Sequence, residues 1–447
     1  MAGSVDPTFV IGSGFDNSVA CTAVQGDGKI LVGGSFTTYK GVAVSAYIVR
    51  LNPDGSLDPT FNVGGIGFNS SVSRIIILPN GKLIVSGFFS TYNGVTCPTA
   101  LVRLNPTGSF DPTFNVGGTG FNGWVGFCLR QPDGKILTVG FFQTYNGITC
   151  PQHFHRVNAD GSYDSTWNIG PSGSPRGFTF VPLFIALQST GKIIVGGFTD
   201  FYNGGPNPYR LIRVNSDGSY DSTFNVGFSG FNFVCYSVAI QPDDKIVAAG
   251  GFTVYNGAGP QCLTRIQADG HLDTTFNNGG SGFNSAATSI ILQPDGKMIV
   301  GGVFTTYNGV TCPARLVRIN TDGSLDRTFN GGSGTRGFNS GANPSNLNLL
   351  NNGKIIVGGG FTSYTDDSVH LRNNIVRITA YNVNKFLGES FSNKVSTKIS
   401  SFAASNTLEL PLTFNPGQKP GSISIGPDGA SLIIRKPGGA LGSVTIT

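Results

Sequence analysis

The chain has 447 residues, of which 66 are glycine and 24 are proline, while Asp, Glu, Lys and Arg together make up only 12%. This composition excludes helical bundles and coiled coils, and the absence of glycine at every third position excludes collagen. A hydrophobic content of 39% with a formal net charge of +5 excludes intrinsic disorder and gives no electrostatic case for nucleic-acid binding. With no run of 18 apolar residues we also expect no membrane insertion, so a turn-rich all-β protein remains.

The chain begins with the first element of a repeat. Met1 to Phe9 lack a basic start followed by an apolar stretch, so we expect no cleaved secretory signal. Asp6 and Phe9 are instead the first copy of an aspartate followed three residues later by an aromatic residue. The seven aspartates of this series are Asp6, Asp58, Asp111, Asp164, Asp221, Asp273 and Asp326.

Three further markers recur seven times, at intervals of about 53 residues. A lysine follows a turn and opens an apolar run, a tyrosine comes ten residues later, and an arginine follows. The lysines are Lys29, Lys82, Lys135, Lys192, Lys245, Lys297 and Lys354. The tyrosines are Tyr39, Tyr92, Tyr145, Tyr202, Tyr255, Tyr307 and Tyr364. The arginines are Arg50, Arg103, Arg156, Arg213, Arg265, Arg318 and Arg377.

One repeat contains four short apolar segments separated by turns. In the second repeat these are Ser73–Leu78, Lys82–Phe89, Leu101–Leu104 and Ser109–Phe114. Asn-Gly after the tyrosine is a hairpin signal, and Pro112 suits an edge strand because proline has no N–H to donate. Four antiparallel strands repeated radially describe a propeller blade. We therefore predict an all-β, seven-bladed β-propeller of four-stranded antiparallel blades.

The two ends of the repeat region complement each other. The last repeat stops at Thr379 without its aspartate–aromatic unit, whereas the first such unit precedes any complete repeat. We predict that Val5–Phe9 supply the outer strand of the blade formed by residues 341–379 and so close the ring. The predicted domains are the propeller, residues 1–380, and a small β-rich C-terminal arm or attachment module, residues 381–447.

The repeat motif resembles that of a known family. Pro-Asp-Gly-Lys leads into Ile-Val-Gly-Gly, then Phe-Thr-x-Tyr-Asn-Gly, then Leu-x-Arg-Ile-Asn-x-Asp-Gly-Ser-Leu-Asp-x-Thr-Phe, as in residues 294–329. This is similar to the delta-60 repeat of bacterial and phage-type proteins. The resemblance implies a propeller-like fold and frequent use in surface or particle-associated proteins, and it implies no single activity. The motif departs at Asp244 and at Thr365-Asp366, which puts the local turn geometry there in doubt.

In each blade, the turn between the second and third strands and the connection to the next blade are expected to lie on the same face of the propeller. The candidate binding residues lie in these loops. Two of these connections are longer than the others, and each contains Arg-Gly-Phe. Loops on a rigid scaffold commonly carry function. The candidates are Arg176, Phe178, Arg336 and Phe338 in the long connections, and Tyr92, Tyr145, Tyr202, Tyr255 and Tyr307 as a possible sugar-stacking ring. Hairpin capping by the tyrosines and local packing of Arg-Gly-Phe are the structural alternatives.

No catalytic or cofactor signature stands out. The repeated Arg and Asp residues are expected to pair with each other, the seven cysteines to be free thiols, and His153 and His155 to be too few for a metal site. We therefore expect a non-enzymatic structural or adhesive protein without a cofactor. Its expected place is a phage or virus particle, where residues 381–447 would bind other structural proteins. The alternatives are a carbohydrate-binding lectin on a bacterial cell surface, and a hydrolase or lyase with its site in the propeller channel.

Overall fold

A computed structural model describes residues 2–169, 177–206, 210–332 and 336–380, together with three strands of the C-terminal region. Regular structure in these ranges is β, apart from one 3-10 turn at Phe329–Gly332. Among the described residues, no helix has the length and apolar character needed to span a membrane. The all-β prediction is confirmed.

Each of the seven repeats forms a three-stranded antiparallel sheet, in which an inner, a middle and an outer strand follow one another in sequence. The inner strands are Val19–Val24, Val72–Ile77, Trp124–Arg130, Pro182–Leu187, Cys235–Ile240, Ala287–Leu292 and Asn343–Leu349. The middle strands are Ile30–Gly34, Leu83–Gly87, Ile136–Phe141, Ile193–Gly197, Ile246–Gly250, Met298–Gly302 and Lys354–Gly360. The outer strands are Ile48–Leu51, Leu101–Leu104, Phe154–Val157, Leu211–Val214, Leu263–Ile266, Leu316–Ile319 and Ile375–Thr379.

The middle strands are the centre of each blade's core. Their Ile, Val, Leu and Met residues are buried on both sides, as expected for β-branched, apolar segments sandwiched between neighbouring sheets. Between middle and outer strands lies a short hairpin that contains the marker tyrosine. These hairpins pair Thr38–Tyr39 with Val42–Ala43, Thr91–Tyr92 with Val95–Thr96, Thr144–Tyr145 with Ile148–Thr149, Phe201–Tyr202 with Gly205–Pro206, Thr306–Tyr307 with Val310–Thr311, and Ser363–Thr365 with Val369–Leu371. In the fifth blade a single bridge, Tyr255 with Ala258, replaces the hairpin strands.

The fourth strand of each blade is shorter than predicted. In the first blade it is one antiparallel bridge between Leu51 and Leu57, followed by a hydrogen bond from Asp58 N to Arg50 O. The Asp58 carboxylate then accepts a hydrogen bond from the N–H of Thr60 at 2.9 Å, which bends the chain out of the sheet. The short fourth strand predicted for each blade is thus reduced to one bridged segment, because the aspartate that marks the repeat starts a turn rather than extending a strand.

The ring closes as predicted. Each inner strand packs against the inner strands of the blades on either side, and the seventh packs against the first. Val5 forms an antiparallel bridge with Ile378, and Asp6 N donates to Arg377 O at 2.8 Å. The N-terminal segment thus supplies the fourth strand of the seventh blade, and the seven-bladed propeller is confirmed.

The chain divides into two compact units. The first, residues 1–25 and 29–380, is the propeller. The second consists of residues 26–28 and 381–447, and its described part is an antiparallel sheet of Ser422–Ile425, Ser431–Arg435 and Leu441–Thr445. The outer two strands of this sheet both pair with Ser431–Arg435.

Candidate functional site

The charged repeat markers form one cluster in every blade. In the first blade, Asp58 Oδ2 accepts from Lys29 Nζ at 2.9 Å and from Arg50 Nε at 2.7 Å. Its other oxygen accepts from the N–H and the hydroxyl of Thr60. The corresponding Lys–Asp–Arg clusters are Lys82–Asp111–Arg103, Lys135–Asp164–Arg156, Lys192–Asp221–Arg213, Lys245–Asp273–Arg265, Lys297–Asp326–Arg318 and Lys354–Asp6–Arg377. The expected pairing of the arginines with the aspartates is confirmed.

Each arginine also joins its blade to another. Arg50 Nη1 donates to the Pro106 carbonyl of the second blade at 2.7 Å, while its guanidinium lies 5.0 Å from the Phe61 ring centroid. The aromatic residue that follows each marker aspartate is thus the surface on which the arginine stacks. In the seventh blade Arg377 donates to the Pro53 carbonyl and stacks on Phe9 at 4.6 Å. These contacts join neighbouring blades.

The clusters keep the aspartates ionised. Burial alone would raise the pKa of the Asp6 carboxyl, but hydrogen bonds from Lys354 and Thr8 and the charge of Arg377 outweigh it and lower the pKa to about 2. The pKa of Asp273 is likewise lowered to about 2, because hydrogen bonds from Thr275 and Arg265 outweigh burial. The ion pairs therefore persist well below neutral pH.

The five candidate tyrosines are buried, so of the two alternatives left open the sugar-stacking ring is wrong and the structural role in the hairpins remains. Their side chains are at most 3% exposed. Each hydroxyl donates to the carbonyl of a glycine in the outer-strand turn, as from Tyr145 to Gly161 at 2.5 Å. Each ring also contacts a buried phenylalanine, as Tyr145 does Phe121 at 4.5 Å between centroids. The candidates placed in this way are Tyr92, Tyr145, Tyr202, Tyr255 and Tyr307.

The Arg-Gly-Phe candidates are also structural where the structure describes them. Phe178 and Phe338 are buried and bridge to Tyr202 and Tyr364, so they belong to the repeat. The same Gly-Phe precedes the tyrosine in every blade, at Phe15, Phe68, Phe121, Phe178, Phe231, Phe283 and Phe338. Arg336 forms an ion pair with Asp367. Arg176 lies outside the described residues. The sequence held this signal, because Gly-Phe stands 24 residues before the tyrosine in six of the seven copies.

Exposed phenylalanines form the feature that the sequence reasoning missed. Within the described ranges every exposed phenylalanine lies between residues 88 and 233, in blades two to five. Five of them occupy two repeat positions, the end of the middle strand and the position two residues after Gly-Phe. We call these five the phenylalanine arc: Phe88, Phe141, Phe180, Phe198 and Phe233, with exposures of 61, 65, 54, 44 and 51%.

The arc lies at one end of the blades. Phe88 N donates to the carbonyl of Ser71, which precedes the inner strand, so the end of the middle strand adjoins the start of the inner one. Phe141 pairs directly with Trp124 across these strands, which places their side chains on the same side of the sheet. In the fifth blade, the Phe233 ring lies 3.0 Å from where a Cβ on Gly251 would stand. Phe233 thus covers the position that Phe141 occupies in the third blade.

One family model matches the seven repeats: a domain of unknown function (DUF5122) β-propeller. Its matches cover more than half of the chain, at residues 25–61, 78–114, 131–166, 188–224, 241–276, 293–329 and 350–381. The chain belongs to the DUF5122 β-propeller family. The delta-60 name suggested by the motif is not part of that description and stays a prediction.

Two solved structures are similar to this DUF5122 chain. One is the extracellular domain of a proposed one component system from B. thetaiotaomicron, with 15% identity and a TM-score of 0.44. The match covers 82% of this chain and 40% of that one, so this chain spans about two fifths of its length. The other is a protein of unknown function from Bacteroides caccae, with 14% identity and a TM-score of 0.31, covering 57% of this chain and 79% of that one. No curated protein matches the sequence.

The two histidines of the third blade and the seven cysteines are buried in the DUF5122 propeller. Burial lowers the pKa of His155 to about 3, and its ring lies 4.8 Å from that of Tyr163. His153 is bonded to the Gly140 carbonyl through Nδ1. In the described ranges no three His, Cys, Asp or Glu side chains are grouped to hold a metal ion. The seven cysteines are free and buried as expected, and burial raises the pKa of the Cys21 thiol to about 12.

Proposed function

We propose that this chain is a non-enzymatic attachment protein, in which the propeller presents a binding face and residues 381–447 join it to a particle. The observation that carries the proposal is the phenylalanine arc. An apolar side chain that stays exposed does not add to the stability of its own fold. Clusters of such side chains mark surfaces that bind another molecule. The proposed particle is a phage or virion, which agrees with the frequent use in surface or particle-associated proteins that the delta-60 resemblance implies.

The chemistry of the repeat supports a binding rather than a catalytic role. Each Lys–Asp–Arg cluster has its carboxylate held by four donors, as Asp58 is by Lys29, Arg50 and Thr60. A general acid or base needs a proton that can leave or arrive near neutral pH, whereas these carboxyl pKa values are lowered. Groups that build the scaffold in every blade are therefore poor candidates for catalysis.

The end of the propeller supports an attachment role for the C-terminal region. Arg318 Nη1 donates to the carbonyl of Ala380 at 2.5 Å, and Ala380 is the last described residue before the C-terminal sheet. The seven three-stranded sheets of the propeller all lie before residue 381. We propose that this region binds other structural proteins of the particle.

Purified particles from the producing organism test this function. We expect the full chain in the particle fraction by mass spectrometry, and its loss from particles when residues 381–447 are deleted from the gene. The deleted protein must still unfold cooperatively at the temperature of the full chain, which separates lost attachment from lost folding. Finding the full chain only outside particles would refute the proposal.

A bacterial cell-surface lectin is the second candidate, and the same exposed aromatic rings favour it. Aromatic rings are the side chains on which the apolar faces of sugars stack. The two candidates differ in location, because a lectin of this kind would be recovered with the cell surface. Surface labelling of intact bacteria with an antibody against the propeller distinguishes them.

A further inference from the structure

We propose that the phenylalanine arc binds an extended, uncharged polysaccharide. This inference rests on the proposed attachment function and names the ligand class of its binding face. It begins from an asymmetry: the scaffold repeats seven times, whereas the arc occupies only blades two to five.

The fold does not require phenylalanine at these positions. At the end of the middle strand, blades one, six and seven have Ser35, Val303 and Gly360 in place of Phe88, Phe141 and Phe198. Two residues after Gly-Phe, the same three blades have Asn17, Ser285 and Ser340 in place of Phe180 and Phe233. Blades without phenylalanine there form the same sheets, so the sheets do not need the exposed rings.

Three of the rings recur once per blade. Phe88, Phe141 and Phe198 hold equivalent positions in three consecutive blades, and packed sheets stand about 10 Å apart. That interval is comparable with the length of a disaccharide unit in an extended glycan. Trp124, half-buried beside Phe141, enlarges the central platform.

The surroundings of the arc are polar and almost uncharged. Asn69 and Asn232 are exposed, and each donates through Nδ2 to a hydroxyl, that of Ser90 or Thr253. The segments that carry the arc, residues 69–73, 88–91, 122–124, 141–144, 179–183, 198–200 and 232–236, contain one charged residue. This residue, Asp200, is paired with Arg210 at 3.3 Å. Amides and hydroxyls between aromatic rings can form hydrogen bonds with a neutral sugar chain. These segments contain no basic residue that would bind an acidic sugar.

The test compares full-length protein with two triple variants. The arc variant, Phe88→Ser with Phe141→Ser and Phe198→Ser, installs the residue that blade one has at this position. The control variant, Val63→Ser with Val116→Ser and Val226→Ser, removes three exposed aliphatic side chains outside the arc. The probes are the neutral oligosaccharides cellohexaose, maltohexaose and laminarihexaose, and the anionic polymer alginate, measured by calorimetry.

We expect at least one neutral probe to bind the full chain and the control variant, and the arc variant to bind it about tenfold or more weakly. Equal binding by the arc variant, preferential binding of alginate, or no binding of any neutral probe would overturn the inference. Self-association that disappears in the arc variant would identify a second copy as the occupant, and would also overturn it. Particles that contain the arc variant but adsorb normally would refute the sugar site while leaving the attachment function in place.

Discussion

At the scale of single residues, one carboxylate organises each blade. Asp164 accepts from Lys135 Nζ, from Arg156 Nε and from both the N–H and the hydroxyl of Thr166. Two positive charges and a turn therefore depend on one side chain that is almost completely buried. A change at this position affects strand pairing, the turn and the contact with the next blade together.

We expect Asp164→Ala to lower the free energy of unfolding by about 3 to 5 kcal/mol, because a buried arginine loses its partner. The matched control is Asp160→Ala in the same blade, since Asp160 is exposed and its carboxylate accepts from the N–H and the hydroxyl of Ser162. That change should cost about 1 kcal/mol or less. Urea unfolding of both variants measures the difference, and equal losses would contradict the scaffold role of the Lys–Asp–Arg clusters.

The buried tyrosine hydroxyls give a second prediction at this scale. Tyr145→Phe removes the hydrogen bond to the Gly161 carbonyl and leaves that buried acceptor unpaired, so we expect a loss of about 1 to 3 kcal/mol. Tyr163→Phe is the control, because the hydroxyl of the half-buried Tyr163 makes an exposed 3.3 Å hydrogen bond to Thr149 O. Thermal unfolding compares the two variants, and an unchanged melting temperature for Tyr145→Phe would show that the hydroxyl has no structural role.

At the scale of elements, the shortness of the fourth strand explains how the N-terminal segment can complete the seventh blade. Because this strand needs only one bridge and one aspartate, a short N-terminal segment supplies all of it for the seventh blade. Ser4 O accepts from Thr379 N at 2.9 Å, and Tyr364 donates to Gly3 O at 2.5 Å. Both contacts have counterparts within single repeats elsewhere in the ring.

Deleting residues 2–8 removes this strand and leaves Lys354 and Arg377 without Asp6. We expect a larger loss of stability than Asp164→Ala causes, because the backbone pairs and the tyrosine acceptor are lost as well. Differential scanning calorimetry measures it. A synthetic peptide of residues 2–12 added in excess should restore part of the loss, and an unaltered melting curve for the deleted protein would disprove closure by this strand.

Sequence periodicity was sufficient for the ring but not for its surface. The markers recur because every blade needs the same lysine, aspartate and arginine. The number of copies therefore equals the number of blades. The fourth strand was overestimated, because Asp58-Pro59-Thr60 reads equally well as an edge strand or as a turn. The role of the tyrosines stayed open between hairpin capping and sugar stacking, because a residue preceding Asn-Gly can point into the sheet or away from it.

The phenylalanine arc illustrates the same limit. The chain has 34 phenylalanines, and Phe88 and Phe89 are adjacent in sequence although one is 61% exposed and the other 1%. Alternation along a strand places one ring in the core and the next on the surface. The sequence of two adjacent phenylalanines does not show which of the two is exposed. Comparing equivalent positions between blades would have identified Phe88, Phe141 and Phe198 as departures from the repeat.

At the scale of the whole molecule, the seven clusters should determine acid stability. A carboxyl whose pKa is lower folded than unfolded contributes stability above its ordinary pKa, and that stability is lost as the pH falls through the folded value. The pKa values of Asp6 and Asp273 are lowered from 3.8 to about 2. We therefore expect these groups to leave stability constant above about pH 5 and to reduce it steeply between about pH 4 and 2.

Urea unfolding measured from pH 7 to pH 2 checks this window. Asp164→Asn should make the acid limb less steep, because one fewer carboxylate takes up a proton on unfolding. A loss of stability centred near pH 6 would contradict the prediction and would implicate other groups, such as the buried His155.

Closure by the N-terminal strand also has a consequence for synthesis. Asp6 and its partner Arg377 are 371 positions apart, so the contact that completes the ring forms only after almost the entire propeller has left the ribosome. The first six blades can fold as they emerge, while the N-terminal strand waits for its partner. Contacts between such distant positions form slowly, and until they do, both the strand and the unpaired edge of the seventh blade are open to a neighbouring chain. High expression rates should therefore favour domain-swapped oligomers joined through this strand.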